Sequence, residues 1–239
     1  MKFILFIFTF VSIACNGQVT ITNVAGSFTT LGVGLTTGLT MTAGKLYIIF
    51  AGTSNNAGTV ATIGISGTGQ TWTEIGTAGG ATNTTSKKRI QAFRFAPTSN
   101  NTNDIIYTYT GTQDGGWVQI YEITGCDVSG TNGSNAITQS AGGFSNSANP
   151  STIFGSIQPN ASIILALIND VNPFTGAPES GWTESVDGGY ATPDTGGYVM
   201  YRIGTTDNSP TVTAASSGWA SIAIELKPSS GRRRIRNTN

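Results

Sequence analysis

The sequence predicts an all-β fold, an antiparallel β-sandwich of jelly-roll type built from two sequence-related repeats. Three observations predict it. Of 239 residues only 10% are charged, while Gly occurs 32 times and Ser, Thr and Asn abound. Such a mix suits strands and turns rather than helical bundles rich in Ala, Leu, Glu and Lys. Beyond the N-terminus no helical period is sustained. Short apolar runs instead alternate with turn signals at Asn100-Asn101, Asp114-Gly115-Gly116, Asp187-Gly188-Gly189 and Asp207-Asn208. Finally, the chain repeats itself: Gln70-Thr71-Trp72-Thr73-Glu74 is echoed by Ser180-Gly181-Trp182-Thr183-Glu184, and Phe93-Arg94-Phe95 by Tyr201-Arg202-Ile203.

Taken in order, Met1–Gly17 reads as an export signal, with Lys2 before an apolar stretch from Phe3 to Ala14. That stretch is shorter than the ~20 residues a spanning helix needs. Cleavage before Gln18 fits small residues at Cys15 and Gly17; the rival is a loose lipoprotein box with Cys15 acylated, the one route by which the chain would meet a membrane. Val19–Thr22 alternates and reads as an edge strand. The β-sandwich is expected over 18–228, with repeat one at about 27–125, a connection at 126–148 and repeat two at about 149–228.

Repeat one is expected to hold strands at Gly38–Met41, Leu46–Ala51, Trp72–Ile75, Arg89–Phe95, Ile105–Tyr109 and Trp117–Ile123. Repeat two answers with Ile153–Ile157, Ile163–Ile168, Trp182–Ser185, Tyr198–Ile203, Thr211–Ala214 and Trp219–Leu226. The unbroken apolar runs Leu46–Phe50 and Ile163–Leu167 should be central, and the strands from Trp117 and Trp219 should each have one wet face. Glu122 follows Trp117 by five residues and Glu225 follows Trp219 by six. The one-residue difference reverses a strand's face, so a bulge or a chance match is expected there.

The net charge of zero divides unevenly: residues 18–227 carry a balance of −5, and Arg232, Arg233, Arg234 and Arg236 lie in the tail 229–239, expected to be a basic disordered end. A mildly acidic body excludes general nucleic-acid binding, which rests on clustered positive charge. The chain has no His, so it has no Ser/His or Cys/His nucleophile and no imidazole metal site. Once Cys15 is removed or acylated, Cys126 stands alone and reads as a small buried hydrophobe. No phosphate loop, dinucleotide motif or zinc spacing is present. Glu74 and Glu184 are the repeated carboxylates, but each belongs to its own repeat, and pairing with Arg94 and Arg202 suits them better than catalysis. The chain is expected not to be an enzyme.

Binding residues are sought in the loops. Phe174 lies in the polar loop 169–181 with no obvious strand, and the long loop Thr53–Gln70 belongs to the same end of repeat one. Phe174, Asn55, Asn56, Asp170 and Asn172 are therefore the candidate ligand residues. The oxygens of the last four could also take calcium, although their spacing matches no known calcium loop, and no other cofactor is expected. The duplicated Trp residues are expected to fill core or rim positions.

Three segments carry a resemblance: Ser180-Gly181-Trp182-Thr183-Glu184, Tyr121-Glu122-Ile123-Thr124-Gly125-Cys126-Asp127-Val128-Ser129-Gly130, and Ile222-Ala223-Ile224-Glu225-Leu226-Lys227-Pro228. They resemble a broad group of duplicated β-sandwich proteins, found among exported bacterial proteins and phage virion or tail-associated proteins. The resemblance implies a fold and no activity. It leaves two functional expectations. One is a secreted or cell-surface module binding glycan or another surface polymer. The other is a self-assembling structural subunit of a virion or surface appendage.

Overall fold

The computed structural model describes residues 18–29, 38–55, 59–77, 80–110, 114–172, 174–191 and 194–230. The export signal 1–17, Asn56 and the arginines of the tail lie outside the described residues. The fold is all-β and antiparallel. In chain order its strands are β1 (Thr20–Thr29), β2 (Leu39–Met41), β3 (Leu46–Ser54), β4 (Thr62–Ser66), β5 (Thr73–Ile75), β6 (Ala81–Asn83), β7 (Lys88–Phe95), β8 (Asn101–Asn103), β9 (Ile106–Thr110) and β10 (Gly115–Thr124). A 3-10 turn (Thr131–Ala136) leads to β11 (Ile137–Ser145), β12 (Ala161–Asn169), β13 (Ala177–Pro178), β14 (Thr183–Ala191), β15 (Asp194–Thr205), β16 (Val212–Thr213) and β17 (Trp219–Leu226).

Two sheets dominate. One runs β1-β10-β3-β7-β5, with β6 also on the free side of β7; the other runs β11-β17-β12-β15-β14. Each sheet places its first strand beside its last and its second strand at the centre. Their inner faces share one core, in which Leu46, Ile48, Phe50, Trp117 and Tyr121 meet Ile164, Ala166, Ile168, Ile222 and Ile224. The outer face of the first sheet is covered by the ladders β2–β8 and β4–β9, burying Ile49, Phe93, Tyr107, Val118 and Ile120. The outer face of the second is covered by β13–β16 and by Phe154 and Phe174. Four layers result, and β3 and β12 are buried at every residue, as their unbroken apolar runs require.

The outer layers also correct three expectations. The strands β10 and β17 have no wet face, because a layer lies on each side of them. Residues 153–157 form no strand: Ser151 bridges Thr211, Thr152 N–H donates to Pro210 O and Phe154 N–H to Asn208 O, between the interruptions of Pro150 and Pro159. The loop Thr53–Gln70 contains β4, and the connection 126–148 contains the nine-residue edge strand β11.

Register settles the question of the two Glu residues without a bulge. Glu122 lies opposite Tyr47 and Glu225 opposite Ile163, corresponding positions on the outer faces. Trp117 lies opposite Gly52 and points into the shared core, whereas Trp219 lies opposite Asn169 and its place in the core is taken by Ala220. The Glu match is thus in register and the Trp match is one residue out.

The swap of Trp for Ala is compensated across the core. A single row crosses the first sheet as Phe28, Trp117, Gly52, Ile90, Ala81, and the corresponding row of the second is Phe144, Ala220, Ile168, Gly197, Gly188. Phe28 stacks on Trp117 at 6.0 Å, and both rings press on Gly197: a Cβ there would lie 2.8 Å from each. In the first sheet the matching places hold Ile90 and Ala81, and Phe144, the counterpart of Phe28, stands 62% exposed. Gly197→Ala is expected to overpack this core by about 1–3 kcal/mol, and part of that loss should disappear in the Phe28→Ala background. Fully additive losses in a double-mutant cycle by urea denaturation would show that the glycine has no such role.

Both described ends of the chain leave one pole. Gln18 packs on Gly125, Ser229 N–H donates to Gly125 O at 2.8 Å, and Gln18 and Pro228 line the same hollow.

Candidate binding site at one end of the sandwich

The opposite pole is where β3 and β12 finish and β7 and β15 begin. Ser54 lies opposite Lys88, and Asn169 opposite Gly196. Here the chain buries polar groups between the two sheets and must satisfy them. Ser54 Oγ and Tyr190 Oη are 2.6 Å apart, and Thr195 Oγ1 donates to Ser54 Oγ at 3.1 Å. Burial pushes the Tyr190 phenol up to about 12. Asn169 Oδ1 accepts from Gly196 N–H at 3.1 Å, and Asp170 Oδ1 from Gly218 N–H at 2.8 Å. Lys88 is only 3% exposed; burial lowers its pKa, and the charges of Asp170, Asp194 and Asp114 oppose that shift.

The candidate residues read from the sequence fare differently here. Asn55 and Asp170 do come to this pole, but as scaffolding. Asn55 is 5% exposed, with its N–H on Lys87 O at 3.1 Å and its Nδ2 on Thr59 O at 3.3 Å. Asn172 is half-buried against Gly189. Phe174 is not a ligand platform: it is 3% exposed, 5.0 Å from Tyr198 ring to ring, because the outer layer of the second sheet needs a large apolar plug. Among the described residues, no group of three or more acidic or thiol side chains converges as a metal site would require.

An open hollow of about 180 Å³ lies beside Asn55, lined by Thr59, Val60, Thr82, Thr84, Lys87 and Arg89. Strand alternation in β7 turns Lys88 into the protein and Arg89 onto the hollow, and Lys87, in the turn before β7, lies on the hollow as well. Lys87 sits at φ 58, a left-handed conformation rare outside glycine. Arg89 is pinned: its Nε donates to Thr82 Oγ1 at 2.9 Å and its Nη1 to Thr62 Oγ1 at 2.7 Å. Burial lowers the Arg89 pKa and the charge of Glu74 opposes it. Behind the hollow, Glu74 Oε1 accepts from Gln91 Nε2 at 2.8 Å while Gln91 Oε1 accepts from Ile63 N–H at 2.7 Å.

The register does not set the expected Glu–Arg pairs opposite each other. Arg94 lies opposite Thr73, and Glu74 opposite Phe93. Glu184 lies opposite Met200 and accepts from Tyr198 Oη at 3.2 Å, while Arg202 Nη1 donates to Ser180 O at 3.4 Å. A different carboxylate pair comes together, Glu179 with Asp207, which hydrogen-bond each other. Glu179 Oε1 accepts from Thr211 N–H at 2.9 Å; Asp207 accepts from Trp182 Nε1 at 3.1 Å and Ser209 N–H at 2.9 Å. Together they latch the turn before β14 to the loop before β16. Burial, and then the Asp207 carboxyl, push Glu179 up to about 7 against the pull of Thr211 N–H and Arg202.

Because this folded pKa exceeds the ordinary 4.5, the folded state holds the proton more tightly than the unfolded one. The contribution is complete below pH 4.5 and is lost as pH rises through about 7. Glu179→Gln should remove it, so the variant should gain on the wild type between pH 4.5 and 8 in urea midpoint. Parallel midpoints across that window would refute the shared proton. The Cys126 thiol, by contrast, is buried and pushed up to about 11, which leaves it inert at neutral pH.

Comparison with known proteins matches no family model, no curated protein and no solved structure.

Proposed function

We propose that the protein is a non-catalytic secreted or cell-surface module that binds glycan at the pole carrying Asn55 and the hollow. One observation carries the reading: the hollow combines Thr hydroxyls, the apolar Val60, Lys87 and an Arg89 guanidinium held by Thr82 and Thr62. Polar groups held by regular elements, with an apolar wall, are what orient a sugar ring. The export signal read at Met1–Gly17 supports the location. Binding of the purified protein to a panel of surface polysaccharides tests it, and saturable capture of one glycan class is expected. Capture of none would remove the function.

The finer architecture we infer is two fused repeats, one per large sheet, each a small jelly roll whose chain passes between its sheet and its own outer ladders. The shared strand order and the corresponding Glu122 and Glu225 support it.

A second reading, the structural subunit of a virion or surface appendage, is favoured by the edge strand β11 and its exposed Phe144. It requires ordered oligomers that Phe144→Ser dissolves, measured by analytical ultracentrifugation. A monomer at all concentrations would exclude it.

A further inference from the structure

We propose that the hollow bounded by Thr59, Val60, Thr82, Thr84, Lys87 and Arg89 selects an acidic sugar, one bearing a carboxylate or sulfate, within a polysaccharide chain. The inference rests on the glycan-binding reading and names its ligand class.

Charge placement is the first argument. The body from residue 18 to 227 has a balance of −5, yet Lys87, Lys88 and Arg89 stand together in it. Two of these three line the hollow, and among the described residues no carboxylate does. Lys88 is turned inside among Asp170, Asp194 and Asp114, which take up its charge, so the patch is Lys87 and Arg89. In an acidic body such a local cationic patch directs an anion to one place rather than spreading attraction over the surface.

Preorganisation is the second. Thr62 and Thr82 hold the Arg89 guanidinium before any ligand arrives, so less side-chain freedom is lost on binding. A fixed planar guanidinium suits the paired oxygens of a carboxylate or sulfate. Lys87 is presented from a left-handed backbone position, held by the bond from Asn55 N–H to Lys87 O. Conformations of that kind persist only where the surroundings enforce them.

Size and lining are the third. At about 180 Å³ the space is smaller than the roughly 300–1,000 Å³ that takes drug-sized ligands, and it accommodates one sugar ring. Val60 offers a surface for the ring's C–H face, and the Thr hydroxyls offer donors and acceptors for its own hydroxyls. Among the described residues no aromatic side chain lines the hollow to stack a base as single-stranded nucleic acid requires.

The test is titration calorimetry of the purified protein with polygalacturonate, a sulfated polysaccharide and neutral dextran, with a single-stranded oligonucleotide as control. Binding to at least one acidic polymer should be 10-fold or more tighter than to dextran, and should weaken as salt rises from 50 to 500 mM. Lys87→Gln should weaken it about 5- to 10-fold with an unchanged melting temperature. Arg89→Gln should weaken it further, and Arg89→Lys should restore part of the loss. Equal binding of dextran, unmoved by Lys87→Gln, would overturn the acidic preference and leave the glycan-binding function standing. Binding of no polysaccharide would end both, and oligonucleotide binding as tight as that of the acidic polymer would overturn the assignment to sugars.

Discussion

Phe174→Ala is expected to destabilise the fold by about 3–5 kcal/mol, the cost of emptying a buried aromatic site. In a domain of this size that lowers the melting temperature by roughly 6–20 °C. The ring is 3% exposed, packs 5.0 Å from Tyr198, and joins Phe154, Trp182 and Val212 in the outer core of the second sheet. Gly176 approaches its edge closely enough that a Cβ there would collide with the ring, so the site has little room to collapse. A Phe174 that served only to meet a ligand would instead be lost without cost to folding. Calorimetric melting of the variant separates the two, and an unchanged melting temperature would return Phe174 to the surface.

Glu225→Ala should cost about 3 kcal/mol and Glu122→Ala no more than about 1 kcal/mol, although the two hold corresponding positions. Glu225 is fully buried. Its Oε1 accepts from Gln158 N–H at 2.8 Å and its Oε2 from Gln139 Nε2 at 2.6 Å. Removing it takes from the Gln158 N–H and the Gln139 amide the acceptor they share, at a position that the carboxylate fills without exposure to solvent. Glu122 instead receives Lys45 Nζ at 2.7 Å and Tyr47 Oη at 2.8 Å, at a site open enough for water to replace it. Urea denaturation of both variants gives the comparison, and equal losses would show that burial is not what separates them.

The central strands were legible because a strand buried on both faces has to be apolar throughout, and β3 and β12 are. The four-layer arrangement was not, since the strands that complete it are only two to five residues long. In β4, Ile63 and Ile65 alternate correctly but Gly64 and the following Gly67 and Gly69 mask the pattern. In the second main sheet the edge strand β11 is masked likewise, since Gly142 and Gly143 mark close approach to Ala81 and to Ser151 O rather than a loop. Without those outer layers the Trp117 and Trp219 strands look half-solvated and Phe174 looks unhoused. Part of the site had a signal: Lys87-Lys88-Arg89 is the one cationic triplet outside the tail. Its meaning depended on Thr62 and Thr82, which reach Arg89 only once β4 and β6 are in place. Glu179 and Asp207 share no spacing rule at all, and only the fold brings them together.

The adjacency of Gln18 and Ser229 gives the molecule a direction. Strands β3 and β12, nine residues each, run from that pole to the one that carries Lys87 and Arg89, a rise of roughly 30 Å. Anything joined to the chain before residue 18 or after residue 229 therefore hangs from the same base, with the cationic hollow at the summit. A label attached at Gln18 or Ser229 stands at the base, whereas one attached at Ser86, beside Lys87, stands at the summit. The described chain is thus built as a post, with residues 18 and 229 in its footing and the cationic hollow at its top.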